Sequence, residues 1–239
     1  MAAGTGRLCA AVLCGGEGKR LRKVVRGRPK PMAPVDGVPF LDFIIAYLLR
    51  SGVRDIVLCT GYKSDVIEKH YKRGVAGAKV VISRENTPLG TAGALKRAEA
   101  RIKSDPFLVL NGDSICAADL SRLLRFHLKK KALASVVLTK HTGRKDAGSV
   151  LTDRSGRVVR FSEKSGSGRG AFVNAGIYLL DRKILALIPK NRKYSLEYDL
   201  FPGLKGCYGT KSRAALLDIG VPERYKLAGK ILKRAKGLK

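Results

Sequence analysis

Tryptophan is absent from this 239-residue chain, aromatic residues make up only 6% of it, and Asp plus Glu number 19 against 48 Lys plus Arg. The shortage of aromatics removes the stacking platforms on which nucleic acids are commonly held, and no DNA- or RNA-binding motif with interleaved aromatics occurs. Long hydrophobic runs are missing too. No segment approaches the roughly 18 consecutive apolar residues of a membrane helix, so a membrane-spanning reading fails. The apolar opening at Leu8–Leu13 is short and runs into glycines rather than a small-residue cleavage site. It reads as a buried strand, and no targeting segment is visible. Five cysteines (Cys9, Cys14, Cys59, Cys116 and Cys207) are odd in number and widely spaced, with no C-x-x-C pair and no clustered histidines. That pattern points to reduced thiols in a cytoplasm and against structural zinc.

What is present is an ordinary globular composition, 45% hydrophobic, at a length that suits one α/β domain with a core needing no staples. The net charge of +29 raises the question of nucleic acid. The cations, however, spread along the whole chain, with denser stretches at Lys19–Lys30, Lys129–Lys131 and Arg224–Lys239. A solvated basic surface that attracts anionic small molecules is the expectation, with no specific nucleic-acid partner and no membrane.

Strand-like and helix-like segments alternate through the first half: Leu8–Leu13, Phe40–Arg50, Ile56–Thr60, Ser64–Tyr71, Val80–Ser83, Thr91–Arg101, Phe107–Leu110 and Asp119–Lys131. This rhythm predicts an α/β fold, a Rossmann-like, mostly parallel sheet with helices on both faces. After Ala134 strands follow without regular crossover helices, at Ser135–Lys140, Ser149–Thr152, Arg157–Phe161 and Ala171–Leu179. They predict a small, partly antiparallel extension over one side of the cleft. Helical patterns return at Arg182–Ile188 and Pro222–Ala235, around a strand at Ala214–Asp218. The expected organisation is a single domain over 1–239, with one half at about 1–133 and another at about 134–239.

Directly after the first strand stands Gly15-Gly16-Glu17-Gly18-Lys19-Arg20-Leu21, followed by Lys30-Pro31-Met32. Glycines at a strand end let backbone N–H groups approach a polyphosphate, and so form a phosphate cradle. A dinucleotide G-x-G-x-x-G is disfavoured because Leu21 occupies the third glycine position, and no lysine followed by Ser or Thr makes a P-loop. What remains is a glycine loop with two fixed cations, Arg20 and Lys30. Asp113 ends a hydrophobic strand, where an α/β sheet opens its ligand crevice, and Asp218 ends another. Two carboxylates suit Mg²⁺, which takes few protein ligands and keeps waters and phosphate oxygens.

The arrangement G-G-x-G-x-R-L followed by K-P-M resembles the signature of sugar-phosphate nucleotidyltransferases. The resemblance continues through Pro88-Leu89-Gly90-Thr91-Ala92-Gly93, Asn111-Gly112-Asp113, Phe161-Ser162-Glu163-Lys164, Asn174-Ala175-Gly176-Ile177-Tyr178 and Asp218-Ile219-Gly220-Val221-Pro222-Glu223. It departs at Lys19, where the family has a small hydroxyl residue, and at Ser165, where a proline is usual. It implies transfer of a nucleoside monophosphate from an NTP to a sugar 1-phosphate, with Mg²⁺ on Asp113 and Asp218. Arg20 and Lys30 are then the catalytic cations, and Leu13, Gly15, Gly16, Gly18, Pro88, Gly90, Thr91 and Gly112 line the nucleotide. Gly148, Glu163, Lys164 and Asn174 are placed at the sugar phosphate. No general base is required, because a phosphate monoester is already dianionic near neutral pH, its second pKa being near 6. His70, His127 and His141 are accordingly read as surface or helix residues.

Within the family, Lys30–Val35, Leu110–Ser114 and Ser195-Leu196-Glu197 most resemble the D-glycero-D-manno-heptose 1-phosphate guanylyltransferases. Mannose 1-phosphate guanylyltransferases and short uridylyltransferases for amino-sugar phosphates are the alternatives. Little chain follows the second metal segment, so a stand-alone transferase is expected; a homodimer is left open. Glu85 carries the expectation for the base. A carboxylate only accepts hydrogen bonds, and guanine offers adjacent donors at N1 and N2, whereas uracil and thymine flank one donor with two carbonyls. GTP is therefore favoured.

Overall fold

The computed structural model describes residues 5, 8–21, 24–25, 27–140, 149–162 and 172–234. In chain order the elements are β1 (Cys9–Cys14), β2 (Pro34–Val35), β3 (Val38–Pro39), α1 (Phe40–Arg50), β4 (Asp55–Thr60), α2 (Ser64–Tyr71), β5 (Lys79–Arg84), α3 (Gly90–Ala98) and β6 (Phe107–Asn111). They continue as β7 (Ser114–Cys116), α4 (Leu120–Lys130), β8 (Ala134–Lys140), β9 (Ser149–Thr152), β10 (Val158–Ser162), β11 (Phe172–Leu180), β12 (Cys207–Lys211), β13 (Leu216–Asp218) and α5 (Pro222–Arg234).

The main sheet runs β10-β9-β11-β6-β1-β4-β5, with β8 on β11 and β12 on β8. β6, β1, β4 and β5 are parallel, as crossover helices demand. β11 joins them antiparallel to β6 and starts the expected antiparallel extension, in which β9 and β10 follow. Two short ribbons stand apart: β2 with β3, and β7 with β13.

Alternation along the strands divides the interior in two. Ala10, Val12 and Cys14 of β1 join Ile56, Leu58, Leu108 and Leu110 in a core with α1, α2, α4 and α5. Cys9 and Ala11 turn the other way, with Val57, Cys59, Phe107 and Val109, against α3 and the segments around Ile184 and Leu196. The local stops match the chemistry of their residues. Asp119 caps α4 by accepting from Arg122 N, Asp181 caps a 3-10 helix at Arg182–Leu187, and Ser195 caps a π-helical turn at Leu196–Leu200.

Most predicted elements appear within a residue or two. The segment Arg182–Ile188 is a tighter 3-10 helix than its pattern suggested. β12 escaped prediction because Cys-Tyr-Gly-Thr-Lys lacks apolar alternation. It is a strand because β8 supplies a partner and because Gly209 is small enough to pack there, a β-carbon at that position falling 2.5 Å from Leu138 Cδ1.

Candidate active site

The carboxyl ends of β1 and β6 are stitched together: Gly112 N donates to Leu13 O at 2.9 Å. A β-carbon on Gly112 would stand 2.7 Å from that carbonyl and 3.0 Å from Cys14 Sγ, so only glycine permits the approach. Asp113 follows directly, at the edge where the parallel strands open.

Gly18 adopts φ +59° and rests on Lys30, whose Cβ lies 2.8 Å from where a Gly18 β-carbon would be. This contact returns the Lys-Pro-Met turn to the glycine loop. Lys30 Nζ reaches Asp113 Oδ2 at 2.5 Å, with the lysine side chain largely buried. Asp218 closes β13 beside β7, and Ile219 N donates to Asp113 O. Arg224 holds Asp218 Oδ1 through Nε and Nη2, each at 2.8 Å. Gly220 sits amid these groups: a β-carbon there would lie 2.8 Å from Asp218 Oδ1 and 3.4 Å from Lys30 Nζ. Lys30, Asp113 and Asp218 thus converge from three distant segments. Gly16 faces open space, with nothing within 4 Å of an added β-carbon, and Arg20 is exposed on the short 3-10 turn Lys19–Leu21.

On the other side of the loop, Glu85 rests on two glycines. β-Carbons on Gly15 and Gly61 would lie 2.6 and 2.7 Å from Glu85 Oε1. Leu89 N donates to Oε2 at 3.2 Å. Burial raises the carboxyl pKa and that N–H partly offsets the rise. Pro88 is exposed between β5 and α3. Gly90, at φ +74°, lies where a β-carbon would strike Tyr194 O at 2.7 Å. Ala92 N and Gly93 N donate to the same carbonyl.

Thr91 belongs to a polar network. Its hydroxyl donates to Glu197 Oε2 at 2.9 Å and accepts from Leu196 N at 2.8 Å. Tyr178 OH donates to Glu197 Oε1 at 2.7 Å and accepts from Asn174 Nδ2 at 2.7 Å. Asn174 Oδ1 accepts from Gly176 N. Burial above all, then the charge of Glu197, pushes the Tyr178 phenol well up, so it stays protonated as a donor. Gly176 brings this network against the first cluster, since its β-carbon would meet Asn111 Nδ2 at 2.7 Å and Ser114 Oγ at 3.0 Å.

Of the residues singled out in the sequence, Leu13, Gly15, Gly16, Gly18, Lys30, Glu85, Gly112, Asp113 and Asp218 gather around the ends of β1, β6 and β13, while Arg20 is exposed on the short turn after the loop. Thr91 and Asn174 spend much of their bonding capacity within the protein. Gly148, Glu163, Lys164 and His141 lie outside the described residues. Glu197, Tyr178, Arg224 and Gly61 received no site role from the sequence; Ser195-Leu196-Glu197 served there only as a mark of substrate type. Among the described residues, no three His, Cys, Asp or Glu side chains cluster to hold a metal.

The Nucleotidyl transferase family model matches residues 9–217. D-glycero-alpha-D-manno-heptose 1-phosphate guanylyltransferase of Aneurinibacillus thermoaerophilus is 37% identical, across 93% of this chain and 97% of that protein. The enzyme of the same name from Campylobacter jejuni is 38% identical, across 90% and 96%. A mannose-1-phosphate guanylyltransferase of Mycobacterium tuberculosis is 34% identical, but this chain spans only 63% of its length. The crystal structure of HddC from Yersinia pseudotuberculosis complexed with GMP-PN superposes with a TM-score of 0.84 at 32% identity, covering 94% of this chain and 99% of that one. With the motif order, the sheet and these likenesses in agreement, the chain belongs to the Nucleotidyl transferase family, among relatives that are sugar-1-phosphate guanylyltransferases.

Proposed function

We propose that this enzyme transfers the guanylyl group of GTP to D-glycero-D-manno-heptose 1-phosphate, releasing pyrophosphate. The observation that carries the chemistry is the convergence of Gly18, Lys30 and Asp113 at the mouth of the sheet. A phosphate oxygen of the sugar attacks the α-phosphorus; the new P–O bond forms as the bond to the β-phosphate oxygen breaks, and pyrophosphate leaves with that electron pair. The Gly15–Gly18 backbone would cradle the triphosphate. Arg20 and Lys30 would neutralise it, Lys30 from a largely buried position where its charge is weakly screened. Lys164, Glu163 and Gly148, outside the described residues, are assigned to the sugar phosphate by resemblance alone, and Asn174 would meet the sugar through whatever bonding capacity the Tyr178 network leaves it.

The donor set fits Mg²⁺. Asp113 and Asp218 are hard carboxylates on adjoining strand ends, and this ion uses one or two carboxylates with waters and phosphates. When bound, it would polarise phosphate oxygens and offset their charge.

Two observations favour this substrate pair. Glu85 offers acceptors beside the glycine loop, where guanine N1–H and N2–H can be met. Two heptose enzymes are 37% and 38% identical to this chain, against 34% for the mannose enzyme. Four NTPs assayed against heptose, mannose and amino-sugar 1-phosphates by pyrophosphate release test the proposal. Best turnover with GTP and heptose 1-phosphate is expected; preference for mannose 1-phosphate would replace the sugar, and preference for UTP or dTTP would refute the base.

A further inference from the structure

The net charge of +29 far exceeds what a phosphate site uses. The stretches 19–30 and 224–239 each hold seven Lys or Arg and no Asp or Glu. Far apart in the chain, described residues of the two come close in space. Tyr225 of α5 donates to Pro34 O. Burial raises its pKa, and Arg28 lies near enough to oppose that rise. Just before α5, a β-carbon on Gly220 would stand 3.1 Å from Arg224 Nη2 and 3.4 Å from Lys30 Nζ. Lys30 and Arg224 are themselves largely buried against Asp113 and Asp218, so among the described residues the exposed cations of α5 are Lys226 and Lys230.

The helix adds a second property. Ala228 and Leu232 are buried, fixing its inner face. Leu227 is 51% exposed and Ile231 41%; four residues apart, they share the outer face. Lys226 and Lys230 are exposed next to them in the sequence. In the other basic stretch, Val24 is exposed as well. These exposed apolar groups are aliphatic. A single-stranded nucleic acid draws its apolar contacts from aromatic stacking and would leave such a ridge in water. An anionic bilayer serves both properties, with lysines at the headgroups and Leu227 and Ile231 at the acyl boundary.

We propose that the outer face of α5 docks this enzyme peripherally on membranes rich in anionic phospholipid. No helix among the described residues is long and apolar enough to cross a membrane. Docking is reversible and rests on two weak contributions together, charge and a short aliphatic ridge. Arg224 ties α5 to Asp218, so the docked face adjoins the candidate active site.

The test is co-sedimentation of the full chain with vesicles of phosphatidylcholine containing about a third phosphatidylglycerol, against pure phosphatidylcholine. Binding to the anionic vesicles alone is expected, weakening as salt rises. The double variants Leu227→Glu/Ile231→Glu and Lys226→Glu/Lys230→Glu should each lower the partition coefficient at least about tenfold, while activity on soluble substrates persists and confirms folding. Absence of anionic-vesicle binding at low salt, unchanged binding by the Leu227/Ile231 variant, or displacement of the vesicles by equimolar RNA would each overturn the proposal.

Discussion

Lys30 Nζ and Asp113 Oδ2 stand 2.5 Å apart although 83 residues separate them in the chain. Each is the other's partner at the site proposed to receive phosphate, so removing either charge strands its counterpart and, on that proposal, misplaces the electrostatics of the reaction. Lys30→Ala and Asp113→Ala should each lower kcat/KM by more than about a hundredfold while circular dichroism stays unchanged. The double variant should lose far less than the product of the two. A single-variant loss below about tenfold would remove these residues from the chemistry.

Glu85 leads to a prediction about the base. Glu85→Gln should erode the preference for GTP over UTP by about tenfold or more, with little change in kcat for the best sugar phosphate. Gly61→Ala should do the same with the carboxylate chemically intact, because its β-carbon would fall 2.7 Å from Glu85 Oε1 and displace it. Burial raises the Glu85 pKa, so the acceptor is protonated at a higher pH than an ordinary carboxylate. KM for GTP should therefore climb as pH falls through that raised value, and Glu85→Gln should flatten the climb.

Thr91 separates support from contact. Its hydroxyl is engaged by Glu197 and Leu196 N, so Thr91→Val should cost about 1–3 kcal/mol of stability through unpaired buried groups. KM for GTP should change less than about threefold. Urea titration and steady-state kinetics distinguish this from direct nucleotide binding, which would raise KM with stability unchanged.

His127 is 4% exposed and bonds Ser135 Oγ at 2.9 Å. Burial lowers its pKa from 6.5 to about 4, although Asp181 and Asp105 oppose the shift. The unfolded chain takes up this proton near pH 6.5 and the folded protein only near 4. Stability is therefore highest above that window and falls as pH drops through it, by about 3 kcal/mol in all. His127→Gln keeps a bond to Ser135 and should reduce the difference between urea midpoints at pH 7 and pH 4.5.

Elements with strong periodicity, such as α1 and the Cys9–Cys14 strand, could be read from the sequence because burial on one face or two writes itself into residue order. So could the convergence of the glycine loop, Lys30 and Asp113, since glycines and a carboxylate at strand ends mark where an α/β sheet opens. Glu197 and Tyr178 were not legible. Their network depends on where the π turn at Leu196–Leu200 meets β11, and nothing local to either segment encodes that meeting. Nor could the sequence reveal that Gly15 and Gly61 together seat Glu85: each glycine alone reads as a turn, and only the parallel pairing of β1 with β4 sets them side by side.

β1 is bonded along both edges, to β4 and to β6, and its residues are shared by both cores. Its amides can exchange with solvent only when the whole fold opens, whereas Gly16, two residues past its end, is exposed in the loop that follows, and Gly18 lies two residues further on. Deuterium uptake should change from the slowest to among the fastest in the protein across that step. On the proposed function, a loop anchored to so fixed a strand would meet a triphosphate without shifting the frame against which the sugar phosphate is aligned.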